Sequence, residues 1–241
     1  MPSLVSPLVS PLVPSWPRSG RVLALDSSLG PGSVALAEGG ELRAQLHADG
    51  DGKGKLALLI DELLRGQSLA VSDVDAFVVA AGPGRFTGVR SAVAVAKGLA
   101  FATGKPIVAV GSLEALGAGT EPCVVLGDGP RSLYVDDRSD ALNEGPRAHD
   151  LQEFVTSLRD GARSVPARIV GASLGPLREA LHEAGVRVEL VEHALDASVH
   201  LRVALSAGVV GAMHDVEPRY VREVSITPPK VAPVILPFAH R

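Results

Sequence analysis

The sequence predicts an α/β protein with a mixed sheet, built as two lobes, the first opening on a β-meander. Three observations carry this. Short apolar or alternating runs separated only by turn residues come first. Apolar runs then alternate with segments of helical periodicity through the rest of the body. The 241 residues are 46% hydrophobic but only 3% aromatic, enough chain for one large or two small domains with cores of Ala, Val and Leu.

Taken in order, Arg21–Asp26 is a short apolar run ending in an acid and reads as a buried strand. The cluster 27–32 is a turn, 33–37 a second strand, Gly39-Gly40 a hairpin turn and 41–47 a third strand. A Gly/Lys loop over 49–55 leads into Leu56, Leu59, Ile60, Leu63 and Leu64, whose spacing gives an amphipathic helix to about Arg65. A strand over 75–80 feeds the glycine loop 82–88, with Thr87 as the expected N-cap of a helix through Phe101. A strand over 107–110 closes the first lobe, residues 20–112. The second lobe, 113–197, reads as a helix over 113–118, strands over 123–126 and 133–135, and an acidic loop over 136–146. A helix over 150–159, a strand over 168–171, a helix over 176–184 and a strand over 187–191 follow. The short strand over 133–135 makes this lobe look trimmed. A last helix begins at Ser198 and is assigned with residues 198–222 to the first lobe. Residues 1–19, with a doubled Ser-Pro-Leu-Val, and 223–241 read as Pro-rich disordered tails. No repeat at a solenoid period is present.

The formal net charge of −4 argues against a protein that grips nucleic acid on its own. A single cysteine, Cys123, cannot form an internal disulfide, which suits a reducing compartment. No apolar run is long enough to span a membrane.

The sharpest motif is Ala81-Gly-Pro-Gly-Arg-Phe-Thr-Gly-Val-Arg90. It follows a buried strand and opens a helix, a place where backbone N–H groups and the helix dipole favour an anion. Its spacing fits neither the dinucleotide fingerprint nor the P-loop. Two readings stand: a phosphate cradle, or a tight strand-to-helix turn. The helix behind it is rich in small residues (Ala92, Ala94, Ala96, Gly98, Ala100). It is either buried on a sheet or suited to close contact with another helix.

These residues carry a specific resemblance. GPGRFTGVR followed by AVAKGLA resembles the signature of the TsaB (YeaZ) family, with Arg85 where that signature usually has Ser and Ser91-Ala92 in place of its [IV]-G. The opening RVLALDSSLGPGSVAL resembles the family's start, and Glu217-Pro-Arg-Tyr-Val-Arg222 its close. The resemblance implies the actin-like ATPase (ASKHA, RNase H-like) fold. It also implies a cytoplasmic, non-catalytic dimerisation subunit that binds the paralogue TsaD in the complex forming N6-threonylcarbamoyladenosine at position 37 of tRNA. TsaE would join the larger complex, TsaC would supply the threonylcarbamoyl-adenylate, and tRNA would be met indirectly. A homodimer would form when the chain is alone. The implied interface is a bundle of the two first-lobe helices, for which the expected residues are Leu56, Leu59, Ile60, Leu63, Val89, Ala92, Val93, Ala96 and Ala100.

The same fold implies candidate nucleotide and phosphate loops at Asp26, Ser27, Ser28, Gly82, Gly84, Thr87, Gly88, Arg90 and Asp128, with Gly171 near an adenosine loop. The subunit itself is expected to need no cofactor, ATP or ADP and Mg²⁺ belonging to the whole complex. A rival reading is an active actin-like ATPase or small-molecule kinase using Asp26, Asp128 and Gly171. A metal site is not expected: none of the seven histidines forms His-x-x-x-His, and most read as solvated. No Gly-x-Ser-x-Gly elbow supports a hydrolase, and Cys123 lies in a strand.

Overall fold

The computed structural model describes residues 20–49, 55–117, 121–138, 145–207 and 216–221. Two five-stranded sheets organise them. In the first, β1 (Arg21–Asp26), β2 (Ser33–Glu38) and β3 (Glu41–His47) form an antiparallel meander. After α1 (Leu56–Gly66), β4 (Ala76–Gly82) pairs parallel to β1. After α2 (Phe86–Thr103), β5 (Ile107–Gly111) pairs parallel to β4, and α3 (Ser112–Gly117) leaves the lobe. The order is β3-β2-β1-β4-β5.

The second sheet repeats this plan. The strands β6 (Cys123–Gly127), β7 (Ser132–Asp137) and β8 (Arg147–Asp150) form the meander. Next come α4 (Leu151–Arg159), β9 (Arg168–Ala172), α5 (Gly175–Glu183), β10 (Glu189–Glu192) and α6 (Ala197–Ala207). The order β10-β9-β6-β7-β8 is the first sheet's order read from its opposite edge, with β6 to β10 in the places of β1 to β5. The duplication is one of topology, and the sequence repeats nothing at solenoid periods.

Alternation along β1 shows why its run is apolar throughout. Leu23 and Leu25 face the core shared with α1 and α2, while Val22 and Ala24 face the core shared with α6. A strand covered on both faces loses the polar half of its alternation. The terminal helices are exchanged between lobes. Ala197, Leu201 and Ala204 of α6 pack on Ala24, Ala35, Ala37 and Ala76 of the first sheet. Leu113 and Leu116 of α3 pack on Val124, Leu126 and Tyr134 of the second. Small residues on the first sheet's α6 face are where the aromatic poverty of the chain is used: they let a helix lie close.

Several expectations change. The strand expected over 133–135 runs Ser132–Asp137, and β8 is a strand where only loop and helix start were foreseen. Asp136 and Asp137 are buried strand residues because Arg138 (2.8 Å) and Arg163 (3.1 Å) pair with them. The second sheet therefore has as many strands as the first, and the impression of a trimmed lobe came from reading these acids as loop. Thr87 is not a cap. The Val89 N–H donates to Arg85 O, so α2 starts at Phe86 with Arg85 as N-cap. The helix assigned to 198–222 is described as Ala197–Ala207, and 216–221 run without regular structure. The tails, the Gly/Lys loop apart from Asp49 and Lys55, and the end of the last helix lie outside the described residues.

Candidate functional site

Three sequence motifs that lie far apart in the chain meet at the C-terminal ends of β1 and β4. The turn after β1 comes first. The Ser28 N–H donates to Asp26 Oδ1 at 2.7 Å, and both residues are buried. The glycine loop folds onto this turn: the Arg85 N–H donates to Ser28 O at 2.6 Å, and Ser27 Oγ donates to Gly88 O at 2.8 Å. The glycines follow from this closeness. A Cβ on Gly84 would lie 2.5 Å from Ser28 O, and one on Gly88 would collide with Ser27 O. The third motif, Glu217-Pro-Arg-Tyr, runs alongside. The Arg219 N–H donates to Ala81 O at 2.7 Å, Arg219 pairs with Glu114 at 3.3 Å, and the Tyr220 ring lies 5.4 Å from that of Phe86.

Of the candidate phosphate residues, Asp26, Ser27, Ser28, Gly82, Gly84, Thr87, Gly88 and Arg90 are thus gathered in one place. Asp128 belongs to the other sheet, in the β6–β7 turn, where its N–H donates to Ser132 O. The fit to a nucleotide phosphate is poor on the residues present. The Ser28 and Arg85 N–H groups are taken by protein oxygens, and Asp26 Oδ2 faces His200 Nδ1 at 3.9 Å. The tight-turn reading of the glycine loop is the one these bonds favour. Most of the histidines read as solvated from sequence, but His200 is an exception. It is fully buried in α6, with Nδ1 bonded to Asp196 O at 2.9 Å and Nε2 without a hydrogen-bond partner among the described residues. No signal in the sequence singled it out. Among the described residues no cluster of His, Cys, Asp and Glu suits a metal ion. No described helix is long and apolar enough to cross a membrane.

The nine expected interface residues need correction. Leu56, Leu59, Ile60, Leu63, Val89, Ala92, Val93, Ala96 and Ala100 are all 0–7% exposed and belong to the core between the helices and the first sheet. The spacing that makes a helix amphipathic marks its inward face, and in α2 the outward row is made of equally small residues. Beside the charged Asp61, Glu62, Arg65 and Arg90, the outer surface of the pair carries Ala57, Leu58, Ala94, Gly98 and Phe101. Leu58 is 68% and Phe101 84% exposed. Between the helices lies a groove of about 380 Å³ lined by Ala57, Ile60, Leu64, Val95 and Leu99, with Asp61 and Arg65 also on its wall.

Cys123 is buried, and burial pushes its thiol up to about 12, with Asp137 adding to the shift. That is the behaviour of an inert core thiol rather than a nucleophile.

Comparison with known proteins adds a family. A family described as TsaD: tRNA N6-adenosine threonylcarbamoyltransferase matches residues 53–204. The chain is 37% identical over 101 residues to the tRNA threonylcarbamoyladenosine biosynthesis protein TsaB of Haemophilus influenzae, covering 39% of this chain and 41% of that one. It is 29% identical over 100 residues to the Escherichia coli protein of the same name, covering 41% and 43%. In both cases the chain spans less than half the relative's length. Among solved structures, YeaZ from Pseudomonas aeruginosa superimposes with a TM-score of 0.61 at 25% identity, covering 83% of this chain and 99% of that one.

Proposed function

The chain belongs to the family described as TsaD: tRNA N6-adenosine threonylcarbamoyltransferase, on its TsaB (YeaZ) branch, and we propose that it serves threonylcarbamoyladenosine formation on tRNA as a non-catalytic scaffold. It docks the threonylcarbamoyltransferase paralogue through the outer face of α1 and α2. TsaE joins that assembly, and without the transferase the same face pairs two copies of this chain. ATP or ADP and Mg²⁺ act in the assembly rather than in this subunit.

The observation that carries the reading is the apolar exterior of the helix pair. A surface helix ordinarily turns polar residues outward. Here Leu58, Ala94, Gly98 and Phe101 stand outward among charged neighbours, beside a mostly apolar groove, and exposed apolar residues gathered in this way mark a contact surface. Small residues at Ala94 and Gly98 let a partner helix approach closely. The non-catalytic assignment is supported by the β1 turn and glycine loop, where the Ser28 and Arg85 N–H groups and Asp26 Oδ1 are engaged internally.

The test is reconstitution. Mixing this chain with the organism's transferase paralogue, the remaining assembly proteins, ATP, threonine, bicarbonate and unmodified tRNA is expected to raise modification well above the same mixture without it. Asp26→Asn is expected to support modification as the wild type does. Modification unaffected by omitting this chain would overturn the scaffold role. ATP turnover by the purified chain that Asp26→Asn abolishes would favour an ATPase.

A further inference from the structure

The paired rings at the glycine loop have no role in the scaffold reading. Phe86 and Tyr220 are 40% and 50% exposed, large fractions for aromatic side chains that already touch each other at 5.4 Å and 37°. The Arg90 guanidinium lies 4.8 Å over the Phe86 ring. Arg85, next to Phe86, is exposed. Neither Arg85 nor Arg90 has a carboxylate partner among the described residues, while the nearby Glu114 is paired with Arg219. The segment carrying Tyr220 has one acid, Glu217. The platform is also held in place: the Arg219 N–H bonds to Ala81 O, and Phe86 opens a helix whose loop is bonded to Ser28.

We propose that Phe86, Tyr220, Arg85 and Arg90 form a stacking platform for unpaired nucleobases of RNA, so that this chain touches RNA directly. Exposed ring faces take bases without regard to sequence, and guanidinium groups stack on bases or meet phosphates. The charge pattern favours RNA over protein. Two cations without carboxylate partners beside exposed rings complement a polyanion whose bases can stack. The chain's net charge of −4 leaves this as a local attraction rather than a basic surface. The source of the RNA, a tRNA loop, rests on the function proposed above; the platform chemistry does not.

The experiment measures fluorescence anisotropy of a labelled single-stranded RNA loop with the full chain, alone and mixed with the transferase paralogue, over a salt series. Phe86→Ala and Tyr220→Ala are each expected to weaken binding about tenfold, the scale of one base–aromatic stack. Phe86→Tyr and Tyr220→Phe, which keep a ring, are expected to bind as the wild type and so separate stacking from folding. Arg90→Gln is expected to lower the salt slope by about one. Absence of RNA binding by the wild type in both settings would overturn the proposal, as would alanine variants that bind RNA unchanged. Alanine variants that keep RNA binding but lose the paralogue would make the patch a protein contact instead. A Leu58→Glu plus Phe101→Glu chain that loses the paralogue yet still binds RNA supports both readings. RNA binding with no paralogue association by the wild type leaves the platform standing and removes the scaffold.

Discussion

The two lobes share a topology and differ in what their helix pairs show to the outside. In the second lobe, α4 and α5 expose Gln152, Glu153, Thr156, Arg159, Arg178, Glu179, His182 and Glu183. In the first, α1 and α2 expose Ala57, Leu58, Ala94, Gly98, Phe101 and Ala102 alongside their charges, and α2 is twice as long as α5 (18 residues against 9). Both pairs cover their sheets with ordinary apolar cores. Folding the lobe therefore explains the inner faces of both pairs and the outer face of neither. The difference teaches that the first lobe's outer apolar residues are not accounted for by its own folding, and they are the ones the scaffold reading assigns to a partner.

The turns differ in a parallel way. In the first lobe the glycines that permit close approach, Gly84 and Gly88, lie after β4 and receive the carbonyls of Ser28 and Ser27. In the second lobe the corresponding approach falls on Gly127 at the end of β6, against Ser173 O after β9. The same crossing is made with the glycine on the opposite partner.

The largest expected effect breaks the comparison at its outer faces. Leu58→Glu plus Phe101→Glu removes two anchor-sized contacts and is expected to weaken paralogue association by about a hundredfold, read by titration calorimetry. Gln152→Glu plus Arg178→Glu on the second pair is expected to leave it unchanged. The inward changes Val93→Glu and Ala96→Glu place carboxylates in the core of the first lobe and are expected to unfold it, so they report on folding rather than docking.

Next come the crossings. Gly88→Ala and Gly127→Ala each drive a Cβ into a backbone oxygen that cannot turn aside. Each is expected to cost about 1–3 kcal/mol in chemical denaturation. Equal losses would confirm that the two turns do the same structural work; a neutral Gly88→Ala would separate them.

A smaller effect concerns α6, the helix the second lobe lends to the first. Burial pushes the Asp196 carboxyl up, but hydrogen bonds from Ser198, Gln45 and the Ser198 and Val199 N–H groups outweigh it and hold it below the ordinary range. A carboxyl lowered by folding adds stability above its unfolded value, and that stability is lost as pH falls through the folded one. Asp196→Ala is expected to cost about 1 kcal/mol at neutral pH and progressively less in acid.

The smallest effect belongs to the second lobe alone. Burial first, then Arg163 and Arg147, hold His149 below its ordinary 6.5. Its ring lies 5.6 Å from Phe154. In this case the unfolded chain binds the extra proton, so stability rises with pH through the region just below 6.5. His149→Phe is expected to flatten the thermal midpoint across that window.

Much of the fold was legible because its signals are local. The meander, the Leu56–Leu64 periodicity and the apolar β4 run each need only neighbours in sequence. The direction α2 faces was not legible, because Ala92, Ala96 and Ala100 on the inner row and Ala94 and Gly98 on the outer row are equally small. Arg147–Asp150 shows no apolar alternation, so β8 was invisible; it is an edge strand held by pairing to β7. Asp136 and Asp137 read as loop until arginines from elsewhere in the chain are placed beside them. The site followed the same rule. Each motif was visible singly, but the contact of Tyr220 with Phe86 and the burial of His200 beside Asp26 depend on residues brought together by 105 or more positions of intervening chain, as the Arg219–Glu114 pair already shows.

The most direct test of the lobe difference is amide hydrogen exchange of this chain with and without the transferase paralogue. The account predicts new protection over residues 55–66 and 86–103, with 151–159 and 175–183 unchanged. Protection that appears on α4 and α5 while α1 and α2 exchange as before would contradict it.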